Sequence, residues 1–108
     1  MTDIQQMSVA ELHALRVGEN PPIILDVRTP GELAVASIDG VIHIPMNDIT
    51  SRFDELDETQ NIVVMCHHGY RSMQVAMYLT QKGFENVSNL AGGIDAWSCH
   101  IDSKIPRY

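Results

Sequence analysis

Cys66, His67, His68, Gly69, Tyr70, Arg71 and Ser72 follow directly on the apolar run Ile62-Val63-Val64-Met65. A cysteine delivered by a strand into a tight turn sits where successive backbone N–H groups converge on its sulfur. Gly69 permits the backbone angle such a turn needs, one that other residues resist. Arg71 adds a permanent positive charge close to the sulfur or to an anionic substrate. Together these factors lower a thiol's pKa and make it a nucleophile. The competing reading, an inert small hydrophobe at a strand end, is a common fate of cysteine. The polar company of Cys66 argues against it.

Placing that thiol requires a strand before it and a helix after it. Ile62–Met65 has the continuous β-branched character of a strand buried on both faces of a parallel sheet. From Ser72 onward Val75, Ala76 and Leu79 share one helical face, and Gly83 stands at the C-terminal cap. The crevice beyond the carboxyl ends of parallel strands is where ligands bind in open α/β sheets, and a helix N-terminus there favours an anion.

The rest of the chain supplies neighbours for that unit. Ser8-Val9-Ala10-Glu11 reads as a capping box opening a helix, with Leu12 and Leu15 inward and Gly18, Pro21 and Pro22 ending it. Ile23–Val27 is a buried strand. Thr29-Pro30-Gly31-Glu32 repeats the helix-start signal for a short helix to about Ala36. Val41–Ile44 reads as a short strand stopped by Pro45, and Asn47 as the cap of a helix with Ile49, Phe53 and Leu56 inward. Phe84–Leu90 holds a turn and a last strand. Gly92-Gly93 leads into a short helix, Ile94–Trp97, anchored by Trp97, and Ser98–Tyr108 is weakly patterned. Alternating strands and helices predict an α/β fold: a small, mostly parallel sheet with helices on both faces, as one domain over residues 1–108.

Composition narrows the function. The 108 residues are 44% hydrophobic and 19% charged, values of an ordinary globular chain. A net charge of -7 argues against an extended nucleic-acid or anionic-membrane surface, so any anion site is local. No apolar run approaches a membrane span. The start MTDIQQMSVAEL lacks the basic and long apolar regions of a signal peptide, and two cysteines, Cys66 and Cys99, do not make a disulfide framework. A cytoplasmic monomer that keeps its thiol reduced is expected.

CHHGYRS resembles the active-site loop of the rhodanese-like sulfurtransferases, single-domain members above all. Leu25-Asp26-Val27-Arg28, Asp39-Gly40 through Ile44-Pro45, Gln81–Phe84 and Leu90-Ala91-Gly92-Gly93-Ile94-Asp95-Ala96-Trp97 fall where that family's motifs lie. The resemblance implies an α/β fold, no cofactor, and a Cys66 persulfide that passes sulfane sulfur from a small anion such as thiosulfate to a thiol or protein acceptor. It implies that the backbone of His67, His68, Gly69, Tyr70, Arg71 and Ser72 cradles the sulfur and that Arg71 orients the donor anion. Two positions depart from the pattern. His67 stands where many thiosulfate-using relatives place a basic residue, and Ser37 stands in place of a histidine.

Three other readings compete. A cysteine phosphatase or arsenate reductase also cradles an oxyanion, but its signature has five residues between cysteine and arginine, against four between Cys66 and Arg71. A persulfide carrier or binding module with a dedicated protein partner is the alternative; Cys66 and Arg71 argue against an inert module, and Tyr70 at the loop tip is a candidate docking surface. A metal site is not expected, because Cys66, His67, His68, Cys99 and His100 lack the paired spacing of zinc ligands. His67 and His68, adjacent in a turn, are expected to point apart. Asp26 and Arg28 are expected to support the site by pairing with each other, and Cys99 to be passive.

Overall fold

The computed structural model describes residues 4–108. Its strands are β1 (Gln5–Met7), β2 (Ile23–Asp26), β3 (Ile42–His43), β4 (Ile62–Met65) and β5 (Val87–Leu90). Its α-helices are α1 (Val9–Arg16), α2 (Pro30–Val35), α3 (Ile49–Arg52), α4 (Tyr70–Gln81) and α5 (Gly93–His100). Every strand pair is parallel, in the order β1-β5-β4-β2-β3. Among the described residues no helix is long and apolar enough to cross a membrane.

Local chemistry accounts for most of these elements. Ser8 and Thr29 each accept a hydrogen bond from the backbone N–H three residues on, while Glu11 and Glu32 reach back to the cap. These two capping boxes start α1 and α2 as their sequences specify. Several details differ from expectation, among them α5, which runs on to His100 past its expected end at Trp97. β1 carries no apolar alternation and exists because its backbone pairs with β5. Asn47 caps nothing; it lies in a 3-10 turn over Met46–Asp48 that runs into α3. Leu15 is left exposed at the end of α1. Helix α4 begins at Tyr70 rather than Ser72, because Gly69, at φ 108°, turns the chain so sharply that the next residue is already helical.

The sheet separates two cores. Leu25, Val64, Val75, Leu79 and Phe84 fill the side under α3 and α4. Ile24, Val63, Met65, Leu12, Ile94 and Trp97 fill the side under α1 and α5. Strand alternation assigns each residue of β4 to one layer or the other. Ile62, Val64 and Cys66 therefore face α4, and Cys66 continues the apolar row at its C-terminal end.

Candidate active site

The position of Cys66 on the α4 side of β4 brings its sulfur against the first turn of that helix. Sγ accepts the Gly69 N–H at 3.1 Å and lies 3.2 Å from Ser72 Oγ. Only 1% of the residue is exposed. Burial pushes the thiol's pKa up. The Ser72 hydroxyl and the backbone N–H groups of Ser72, Gly69 and His68 pull it down, and together they leave it below its ordinary value.

Ser72 is tied inward. Its hydroxyl donates to Asn89 Oδ1 at 2.5 Å, while Asn89 Nδ2 donates to Gly69 O at 3.2 Å and to Gln6 Oε1 at 2.9 Å. Asn89 faces α4 for the same reason as Cys66. It pairs in register with Val64, two residues before the cysteine.

A second element holds the loop from the opposite face. The N–H groups of Ile94 and Asp95 at the start of α5 donate to Cys66 O at 2.9 Å and His67 O at 3.1 Å. That approach needs Gly93, whose φ is 60° and where a Cβ would overlap the backbone carbonyls of Cys66 and His67. The Gly92-Gly93 pair is thus a contact surface for the loop that follows Cys66.

On the outer side, both terminal nitrogens of Arg71 donate to Glu32, at 2.6 and 2.9 Å. The Arg71 guanidinium holds the Glu32 carboxyl far below the usual carboxylate range, helped by Tyr108 and by the Thr29 backbone. Tyr108 donates its hydroxyl to Glu32 at 2.7 Å and accepts from Arg28 Nη1 at 2.9 Å. Arg28 and Asp26 are fully buried and pair at 2.7 Å. The remaining Arg28 donor capacity goes to the carbonyls of Ala36 and Glu32. The pair therefore fixes the path of α2, and through Glu32 the position of Arg71.

His67 and His68 do not diverge. Their ring centroids are 3.8 Å apart, and Tyr108 stacks on His67 at 3.9 Å and 6°. With α5 holding the His67 carbonyl and the Tyr108 ring lying on His67, the two imidazoles collect on one side of the loop. Burial, reinforced by His68, lowers the His67 pKa and keeps its ring neutral near pH 7. One ligand atom each from His67, His68 and Asp95 lies within 4.8 Å of the others. Asp95, however, holds Arg107 through both carboxylate oxygens at 3.0 and 3.2 Å, which occupies the one anionic ligand of that group. Tyr70 is 81% exposed at the tip of the loop, and Cys99 is exposed and unpaired.

Sequence reasoning thus assembled the loop but missed four of its neighbours. Glu32 was legible as a helix-capping residue and its second partner was not. Asn89 follows from the period-two alternation of β5 once the register with β4 is known. Asp95 and Tyr108 carry no local signal, since they reach the loop from α5 and from the unpatterned tail.

The geometry, a cysteine at a parallel-strand end wrapped by a glycine-opened helix, has counterparts in known proteins. Residues 8–100 match the family model described as Rhodanese-like domain. A sulfurtransferase of Allochromatium vinosum is 40% identical over 78 residues, covering 72% of this chain and 73% of the relative. A putative sulfurtransferase of Bacillus subtilis is 36% identical over 95 residues, covering 88% and 91%. The crystal structure of a rhodanese-like domain protein from Staphylococcus aureus superposes with a TM-score of 0.85 at 28% identity, over 97% of this chain and 99% of that one. With its loop, its sheet order and these relatives in agreement, the chain belongs to the rhodanese-like domain family.

Proposed function

We propose that the chain is a sulfurtransferase that acts as one domain and carries sulfane sulfur as a persulfide on Cys66. The observation that carries this reading is the environment of Sγ: a Gly69 N–H and a hydroxyl within hydrogen-bond reach of a thiol whose pKa is lowered despite its burial. With thiosulfate as donor, the Cys66 thiolate attacks the outer sulfur. The S–S bond of thiosulfate breaks, sulfite leaves with the bonding pair, and the enzyme keeps Cys66–S–S⁻. A thiolate acceptor then attacks the terminal sulfur and regenerates the Cys66 thiolate, so no net oxidant is needed. Cyanide in the same role yields thiocyanate.

The loop backbone from His67 to Ser72 is the cradle for the transferred sulfur, and Gly69 aims its N–H at Sγ. Arg71 contributes a positive field and, through Glu32, fixes the outer wall of the loop. Asp26 and Arg28 support that wall. The test is intact-protein mass after incubation of reduced protein with thiosulfate and removal of the excess, with Cys66→Ser alongside. A gain of one sulfur atom by the native protein alone is expected. Equal gain by the Cys66→Ser variant refutes the mechanism.

A second reading, a persulfide carrier serving a dedicated protein partner, is favoured by two observations: Tyr70 projects at the loop tip while Cys66 is almost wholly covered. It differs from the first in donor. A persulfidated protein would then load Cys66 where thiosulfate does not, and Tyr70→Ala would slow that loading. The phosphatase alternative has no such support, because the arginine it needs for an oxyanion is engaged with Glu32.

A further inference from the structure

The Ser72 hydroxyl has one proton and two claimants. Asn89 Nδ2 faces the Gly69 carbonyl, which only accepts, so the amide orientation is fixed and Oδ1 is the atom turned to Ser72. A carbonyl oxygen only accepts, so at 2.5 Å the Ser72 proton points to Asn89. Ser72 Oγ then meets Cys66 Sγ, 3.2 Å away, with a lone pair. That arrangement suits a sulfur that carries a proton. A thiolate needs the opposite: the hydroxyl must rotate toward Sγ, leaving Asn89 Oδ1 without its partner in a residue that is only 4% exposed. An unpaired buried carbonyl is costly, so the two hydrogen bonds exclude each other.

We propose that Asn89 is a positioning residue that sets the charge state of Cys66 through Ser72, competing with the thiolate for the hydroxyl proton. The inference rests on the reading of Cys66 as the sulfur-carrying nucleophile and gives the site two settings. When Cys66 is a thiol, Ser72 donates to Asn89 and accepts the S–H. When the thiolate forms, Ser72 turns to it. Once a donor's sulfur is bonded, the inner Sγ is uncharged and its negative charge has moved to the terminal sulfur, so the hydroxyl returns to Asn89. Asn89 therefore disfavours the free thiolate relative to both neutral-Sγ states. The loaded form is favoured over the free thiolate, and an idle nucleophile is kept protonated.

The charged and titratable groups around the loop are Arg71 with Glu32, His67, His68 with Asp95, and Tyr108. None changes between the variants that test the proposal, so their field cancels in the comparison. The measurement is the pH dependence of Cys66 alkylation in donor-free protein, read by mass spectrometry in a Cys99→Ser background. Asn89→Leu is expected to lower the Cys66 pKa by about one unit, the equivalent of one hydrogen bond. In a Ser72→Ala background the same substitution is expected to leave it unmoved, since the relay is gone. An unchanged or raised pKa in folded Asn89→Leu overturns the proposal, as does an equal fall with Ser72 absent. If Asn89→Leu does not fold, Asn89→Asp replaces it. The expected result is a raised pKa whose rise shrinks in the Ser72→Ala background, and an equal rise in both backgrounds would show a field effect only. No sulfur donor enters the experiment, so failure of the persulfide mechanism and failure of this relay read out separately.

Discussion

Strands β4 and β5 lie side by side, and each ends in a glycine-opened helix. Gly69, at φ 108°, precedes α4, and Gly92, at φ 81°, precedes α5. The two junctions share a backbone device and differ in what their free N–H groups meet. At α4 the Gly69 N–H meets a side-chain sulfur. At α5 the first N–H groups meet the carbonyls of Cys66 and His67, the backbone of the first junction itself. One helix start keeps its N–H for a side-chain sulfur, while its neighbour's is spent on holding the first junction. A helix N-terminus is thus an anion site only where no backbone acceptor has already satisfied it.

Breaking the brace is expected to cost more than breaking the cradle. Gly93→Ala adds a Cβ that collides with two backbone carbonyls at a positive φ. A loss of about 3 kcal/mol is expected, together with the lowered thiol pKa. Chemical denaturation and Cys66 alkylation check the two parts. Gly69→Ala meets only ordinary contacts, so the strain of its φ acts alone. Its expected cost is about 1 to 2 kcal/mol, and denaturation midpoints for the two variants decide the ranking. Equal losses would mean that the brace does not hold the loop.

The outer wall gives a smaller effect with a pH signature. Glu32→Gln removes the charge partner of Arg71, which is partly exposed, so about 1 to 2 kcal/mol is expected at pH 7 after solvent screening. The Glu32 carboxyl is depressed below its ordinary 4.5 in the folded chain. Its contribution is present above pH 4.5 and is lost as pH falls through the folded value, so the variant should show a flatter acid limb of stability. A wild-type acid limb in Glu32→Gln would remove Glu32 from the account. Tyr108→Phe keeps the stack on His67 and loses two hydroxyl contacts at a part-exposed position. A drop of about 0.5 to 1 kcal/mol in thermal stability is expected. A larger drop would make the tail a structural strap, more than a covering for the Glu32–Arg71 pair.

The scaffold, and the place of Cys66 in it, could be read from the chain alone. β-branched runs, two capping boxes and left-handed glycines are local signals, because each depends on residues within one turn or one strand. They placed β2, β4, β5, α1 and α2 and put Cys66 at a strand end beside a helix start. The resemblance in CHHGYRS and in the Gly92-Gly93 segment then pointed to the family. Neither the edge strand β1 nor the missing cap at Asn47 was visible, since one depends on pairing with β5 and the other on where the backbone turned.

Tertiary structure alone decided who touches the loop. The resemblance makes Arg71 a donor-facing cation, whereas its terminal nitrogens meet Glu32, 39 residues earlier. Asn89 accepts the Ser72 hydroxyl's hydrogen bond from 17 residues away, and Tyr108 reaches Glu32 across 76. The physical reason is directional. Backbone propensity and patterning are properties of neighbours in sequence, whereas a hydrogen bond's partner is set by strand register and by which face of the sheet a side chain occupies. The sequence determined that a cysteine would stand at the end of a parallel strand, just ahead of a helix start. The fold decided which groups compete for the hydroxyl proton beside it.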